Sequence, residues 1–417
     1  MRATRLPNGV RVLSEELPDL GSVTTGIWVE NGSRYEHAAQ AGISHFLEHL
    51  FFKGTERRSA AQIAEEIDAV GGVINAFTGK EYTCYYAKVL REHLPLALDV
   101  LGDILRNSRF AEEEIDRERS VIIQEISQVE DTPDDYVHDL FGQAFWPGHP
   151  LSRPIAGSAT TVGPLHRADF VRFMEARYRP DRLIVAAAGQ LKHDELVDVV
   201  ARSFGDLEGV SEPVDGQPPV AVAGVSIHEK PLEQIHVCLG APGIRQGDPE
   251  RYAAHLLNLA LGGGMSSRLF QEVRERRGRA YSVYSFLSSY IDAGYVGVYV
   301  GTSPEWVREV VEIIQREVRR ACADGLAPEE LRRTKNQMKG NLLLGLETSD
   351  SRMSRIAKNE IYYQRDIPIE EVAAGIDAVT NDDILRVAAR LFPAGMSALT
   401  VLGDLRGQQL DEGVLTG

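Results

Sequence analysis

An α+β architecture in two homologous domains is expected from three features of the sequence. The chain has 417 residues, beyond the size at which a single hydrophobic core usually serves. Stretches with strand alternation and stretches with helical periodicity intermix in both halves. The halves also repeat one another. Phe110-Ala111-Glu112-Glu113-Glu114-Ile115 recurs as Leu326-Ala327-Pro328-Glu329-Glu330-Leu331, Asp131-Thr132-Pro133-Asp134 as Glu347-Thr348-Ser349-Asp350, and the strand end Gly189-Gln190-Leu191 as Gly403-Asp404-Leu405. So long a period marks a duplicated domain rather than a solenoid. The expected domains are 1–208 and 225–417, joined by a linker at 209–224 that is rich in Gly, Pro and acidic residues.

In order, residues 9–16 and 22–30 alternate and carry β-branched side chains, so they read as strands. Asn31-Gly32-Ser33 is a turn signal. A helix is expected over 39–53, and another over 60–70 with Ser59 as N-cap and Gly71-Gly72 as its stop. Residues 73–78 and 82–89 form a hairpin about Gly79-Lys80-Glu81. Helices follow at 93–107, 112–131, 133–145 and 167–177; Glu112, Glu113 and Glu114 suit the positive end of the second. A buried strand at 183–188 and a helix at 193–204 complete the first half. The second half is expected to carry strands at 225–229, 234–240, 280–290, 293–301 and 398–402. Its helices fall at 249–261, 267–276, 304–323, 328–346, 348–363 and 382–391.

With 43% hydrophobic and 25% charged residues, the composition is that of a globular protein. No apolar run reaches membrane-spanning length, and the start Met1-Arg2-Ala3-Thr4-Arg5 lacks the apolar core of a signal peptide. A cytoplasmic protein is the expectation. The formal charge of −16 argues against nucleic-acid partners. Cys84, Cys238 and Cys322 are too dispersed for a disulfide framework or a thiolate metal site, and Cys84 and Cys238 sit in apolar runs as core residues.

The chemistry centres on His45-Phe46-Leu47-Glu48-His49. Residues three and four apart share a helix face, so His45, Glu48 and His49 point the same way. Two imidazoles one turn apart can hold Zn²⁺, and a carboxylate beside them can take a proton from an attacking water. The order H-x-x-E-H, the reverse of H-E-x-x-H, marks the inverzincin metallopeptidases. The bland alternative is two incidental histidines, because chance yields this pattern in so long a chain on the order of a few per cent of the time. On the 112–131 helix, Ile115, Glu118, Ile122, Glu125 and Val129 share one face. Two carboxylates there interrupt an apolar stripe and call for a cation or donors. A half-exposed ion-pairing face would explain them, and so would a zinc held by two histidines that still lacks a third protein ligand.

Taken together, the 45–49 motif and Glu118-Arg119-Ser120-Val121-Ile122-Ile123-Gln124-Glu125-Ile126 resemble the insulinase/pitrilysin family of zinc metallopeptidases. The likeness is nearest to its mitochondrial-processing-peptidase-like bacterial members. It covers almost the whole chain, including Asn75-Ala76-Phe77-Thr78, His149-Pro150-Leu151-Ser152-Arg153-Pro154-Ile155 and Gly262-Gly263-Gly264-Met265-Ser266-Ser267-Arg268-Leu269-Phe270.

The resemblance implies, for each domain, a mixed and mostly antiparallel sheet packed with helices. It implies one Zn²⁺ per chain, held by His45, His49 and Glu125, with Glu48 as general base and Glu118 as a supporting carboxylate. Gln124 stands where the family usually has another acid. Arg274 and Tyr281 match the element that contacts substrate backbone and oxyanion, with Arg279 where Leu is usual. Asn75, Ala76 and Phe77 match the substrate strand, and Gly262-Gly263-Gly264 the glycine-rich loop. The implied activity is endopeptidase cleavage of unfolded or extended peptides inside a closed chamber. A homodimer is implied, with Arg274 and Tyr281 of one protomer serving its partner's zinc. A non-catalytic structural subunit derived from a processing peptidase is the alternative, and the intact metal positions weigh against it. In the repeat register Glu125 faces Asn341, and a rougher match sets His45, Glu48 and His49 against Ala254, Leu257 and Asn258. The second half is therefore expected to lack the metal set.

Overall fold

The computed structural model of the chain describes residues 1–212 and 216–416; residues 213–215 of the expected linker lie outside the described residues. Strands β1 (Arg2–Arg5), β2 (Arg11–Glu16), β3 (Ser22–Val29), β4 (Val73–Thr78), β5 (Thr83–Leu90) and β6 (Leu183–Gly189) belong to the first half, and β7 (Gly224–His228), β8 (Ile235–Pro242), β9 (Ala280–Ser289), β10 (Gly294–Thr302) and β11 (Ala398–Leu402) to the second. Helices of the first half are α1 (Ile43–Leu50), α2 (Ala60–Asp68), α3 (Leu94–Asn107), α4 (Glu112–Glu130), α5 (Pro133–Phe145), α6 (Ala159–Val162), α7 (Arg167–Arg177) and α8 (His193–Phe204). Those of the second are α9 (Arg251–Gly262), α10 (Val307–Asp324), α11 (Pro328–Gly345), α12 (Ser349–Tyr363), α13 (Ile369–Ala378), α14 (Asn381–Leu391) and α15 (Gly413–Thr416).

The first sheet runs β1-β2-β6-β3-β5-β4 and the second β7-β11-β8-β10-β9. Each contains one parallel pair, β2 with β6 and β11 with β7, and is otherwise antiparallel. The expected mixed, mostly antiparallel sheets packed with helices are thus what the chain forms.

The chain divides into two compact units, and neither is contiguous. The first comprises Met1–Gln128, Arg153–Gly216 and Gly345–Asp366; the second comprises Val129–Ser152, Gln217–Leu344 and Ile367–Gly417. The contiguous domains 1–208 and 225–417 are corrected on this point: α5 belongs with the second unit and α12 with the first. The reason lies in the sheets, which are apolar on both faces. In the first unit, Val12, Val23, Ile27, Tyr85, Ala87 and Val185 face one core. Leu13, Trp28, Cys84, Ile184, Ala186 and Ala188 face the other way and are covered by Met353, Ile356, Ala357 and Ile361 of α12. Fully burying a Met or Ile side chain contributes roughly 1.5–3 kcal/mol, and Met353, Ile356 and Ile361 make α12 an integral part of the first unit's core. The Trp28 indole N–H donates to Met353 Sδ at 3.0 Å, and the Tyr362 hydroxyl to Glu81 Oε2 at 2.9 Å. In the second unit α5 plays the reciprocal part, setting Val137, Phe141 and Phe145 against Cys238, Tyr299 and Ala398. Gly240 makes room for it: a Cβ there would lie 2.2 Å from Phe141 Cζ.

Other departures are local. β1 (Arg-Ala-Thr-Arg) has no apolar alternation to announce it and exists by pairing with β2. The helix expected over 39–53 shortens to α1 because Gly42, at φ +99°, breaks the backbone just before Ile43. The helix expected over 267–276 is π-helical from Phe270 to Glu275. Helix α13 was not anticipated. Ser59 does cap α2, with Gln62 completing a reciprocal pair of hydrogen bonds.

Candidate metal centre

Helix α1 is built to hold its imidazoles still. Ile43, Phe46, Leu47 and Leu50 are buried, leaving His45, Glu48 and His49 half-buried on the opposite face. Its first turn is capped by the buried Glu36 carboxylate, which accepts from the backbone N–H groups of Gly42 and Ser44 at 2.8 Å each. Burial pushes the Glu36 carboxyl up to about 7, against these two amide bonds that favour the anion.

Helix α4 brings the carboxylates across. Glu125 Oε2 lies 3.7 Å from His45 Nε2 and 3.6 Å from His49 Nε2. A tetrahedral ion at ordinary Zn–N and Zn–O distances would set its ligand atoms about 3.3–3.5 Å apart, so these three atoms fit one metal with little adjustment. They form the one group of three or more His, Cys, Asp or Glu able to hold an ion among the described residues. Burial and the neighbouring His49 depress His45 to about 4, so near pH 7 its imidazole is neutral and its lone pair is available. Gln124, in place of the family's usual acid, is exposed and outside the trio.

Glu118 is nearly fully buried at 3% exposure, and both oxygens are used. Lys53 Nζ pairs with Oε1 at 2.7 Å, and His49 Nδ1 lies 3.1 Å from Oε2. A carboxylate paired with an ammonium can only accept, so Nδ1 carries the hydrogen and Nε2 is left as the ligand atom. Glu48 stands beside the trio. Burial raises its pKa, while the hydrogen bond from Thr78 opposes the shift. The Thr78 hydroxyl donates to Glu48 Oε2 at 2.5 Å.

The first unit therefore brings together His45, Glu48, His49, Glu118 and Glu125. It also holds β4, an edge strand carrying Asn75, Ala76 and Phe77. Asn75 is exposed, and Phe77 packs edge-on against Trp28 at 5.5 Å. Arg274 and Tyr281 belong to the second unit. The Arg274 guanidinium lies over the rings of Phe270 and Tyr281, at 4.8 and 4.7 Å from their centroids, and Tyr281 is 79% exposed. Arg279 is accommodated by stacking on Trp306 at 3.4 Å and pairing with Glu309. Gly262 ends α9, and Met265 beyond it is exposed.

Sequence reasoning missed Lys53, Thr78 and Glu36. Lys53 could have been sought once Glu118 was seen to need a cation. Thr78 lies inside a quoted motif, but its partner is thirty residues away on another element.

Comparison with known proteins agrees with the geometry. The insulinase (peptidase family M16) domain pattern matches residues 11–159, and that of the peptidase M16 inactive domain matches residues 164–338. An uncharacterized zinc protease of Streptomyces coelicolor is 44% identical over 417 residues, covering 98% of this chain and 91% of its own. Another, from Bacillus subtilis, is 43% identical over 385 residues, covering 92% and 94%. The crystal structure of a protease from Helicobacter pylori shares the fold, with a TM-score of 0.89 at 22% identity over 97% of this chain and 99% of its own. No helix among the described residues is long and apolar enough to cross a membrane. By its sequence relatives, its fold and the three converging side chains, this chain belongs to the insulinase family of zinc metallopeptidases, peptidase family M16.

Proposed function

We propose that the chain is a zinc-dependent endopeptidase that cleaves unfolded or extended peptides inside a closed chamber, using one Zn²⁺ per chain. The observation that carries this reading is the convergence of His45 Nε2, His49 Nε2 and Glu125 Oε2 beside a half-buried Glu48. A zinc ion bound there supplies Lewis acidity, making water acidic enough to attack near neutral pH. Glu48 takes the proton from the attacking water and returns a proton to the leaving amine, work typically worth about 10²–10⁴-fold in rate. Glu118, tied to Lys53, keeps His49 in the tautomer that ligates. Tyr281 donates to the oxyanion, and Arg274, stacked against its ring, binds a substrate carbonyl. β4, at the sheet edge, adds the substrate as a further strand along Asn75, Ala76 and Phe77; main-chain pairing of this kind reads extension rather than sequence.

Because the metal set and the Arg274–Tyr281 element occur in one chain, the reading includes a homodimer in which each protomer completes its partner's site. The partners are peptides, with neither nucleic acid nor membrane among them, and the location is the cytoplasm; the charge of −16 supports the exclusion of nucleic acid.

The test is hydrolysis of an unfolded peptide mixture with and without chelator, the products identified by mass spectrometry. Glu48→Gln should keep its zinc and lose at least about a thousandfold in rate. Chelator-resistant cleavage, or a zinc-loaded Glu48→Gln protein that cleaves at the native rate, refutes the proposal.

A further inference from the structure

Glu48 sits on a well-anchored helix, yet its carboxylate plane is not fixed by the helix. The terminal torsion of a glutamate is broad and two-fold, so backbone order alone leaves open which oxygen faces the reacting water. One contact removes that freedom. Thr78, the last residue of β4, pairs across the ladder with Thr83 of β5, and β5 is held on its other side by β3. Its hydroxyl donates to Glu48 Oε2 at 2.5 Å. Threonine is stiff about χ1, so the donor comes from a preset direction.

We infer that Thr78 is the positioning residue of Glu48, reserving Oε2 for itself and leaving Oε1 to carry the proton. This inference rests on the reading of Glu48 as general base. The proton leaves the water O–H and forms a bond to Oε1; it later leaves Oε1 for the amine nitrogen. Throughout, Oε2 remains an acceptor, as a carboxylate oxygen first and as the carbonyl oxygen of the acid afterwards. The Thr78 bond therefore survives both protonation states, and the carboxyl group keeps one orientation across the cycle. A serine in place of Thr78 retains this device, whereas a valine of nearly the same shape does not.

The experiment compares Thr78→Val, Thr78→Ser and native full-length protein, each loaded with zinc. It measures kcat and KM on an internally quenched extended peptide, metal content, and the crystal structures of both variants. Thr78→Val should lose about ten- to a hundredfold in kcat, with KM and zinc content unchanged and the Glu48 carboxylate rotated or spread over several orientations. Thr78→Ser should recover most of the rate and the native orientation. Native kcat with an unmoved Glu48 in Thr78→Val overturns the inference. So does a Thr78→Ser protein as slow as Thr78→Val, because the retained hydroxyl would then fail to hold the rate, and so does loss of zinc. If Glu48→Gln hydrolyses peptides normally, the general-base reading fails instead, and the crystal structures still decide whether Thr78 sets the carboxylate.

Discussion

The two units can be laid side by side, strand for strand: β2-β6-β3-β5-β4 in the first against β7-β11-β8-β10-β9 in the second, with the same pair parallel. Where α1 offers His45 and Glu48, α9 has Ala254 and Leu257, each 1% exposed and part of the core. Where α4 carries the buried Glu118 with its lysine and histidine, the repeat register gives Thr334 on α11. Thr334 is equally buried, but its hydroxyl donates to the Glu330 carbonyl one turn back. Glu125 corresponds to an exposed Asn341. The scaffold thus tolerates either content: Ala254, Leu257, Thr334 and Asn341 in one copy, two imidazoles and a carboxylate with paired support in the other. The chemistry depends on a few side chains and the fold does not.

That contrast can be broken most directly at the ligand. Glu125→Gln should weaken zinc binding by more than about a hundredfold, since loss of a supporting partner alone typically costs 10- to 100-fold. Asn341→Ala should leave it unchanged. Competition titration with a chromophoric chelator measures both, and equal affinities for the native and Glu125→Gln proteins would remove Glu125 from the ligand set. Metal removal sharpens the contrast spatially. With free zinc at about 100 times its Kd, binding stabilises the folded state by about 2.7 kcal/mol. Chelation should therefore lower amide-exchange protection in α1 and α4 by up to about a hundredfold and leave α9 and α11 as they were; uniform loss across both pairs would contradict a single metal centre in the first unit. The smallest effect is expected at Lys53→Met. Without its ammonium the buried Glu118 carboxylate loses its counter-ion and its fixed orientation toward His49, and zinc affinity should fall about tenfold, while Lys339→Met on α11 changes nothing measurable in the same titration.

Much of the site was legible in the sequence because its geometry is local. Spacing of three and four on a helix placed His45, Glu48 and His49 together, and the same periodicity set Glu118 and Glu125 on one face. The long-range partners were not legible. Lys53 is the last residue of the helix expected over 39–53 and Thr78 the last of the strand expected over 73–78; only the folded chain brings them to Glu118 and Glu48. The expected domain boundaries missed the exchange of α5 and α12 for a related reason. Amphipathic patterning says that a helix has a buried face, not which sheet covers it. The π-helical turn at Phe270–Glu275 escaped because one additional residue in a turn barely alters the apolar period.

The reciprocal placement of α5 and α12 bears on how such a molecule could arise and be taken apart. A simple tandem copy of a self-sufficient ancestor would leave each repeat with its own helix. Here each repeat is incomplete by itself, since the front portion of the polypeptide carries the plug for the rear sheet, and the rear portion carries the plug for the front one. Either portion made alone would expose an oily sheet face ringed by Trp28 and Leu13, or by Tyr299 and Cys238, and so would be prone to aggregate. Co-produced, the two would be obliged to find each other.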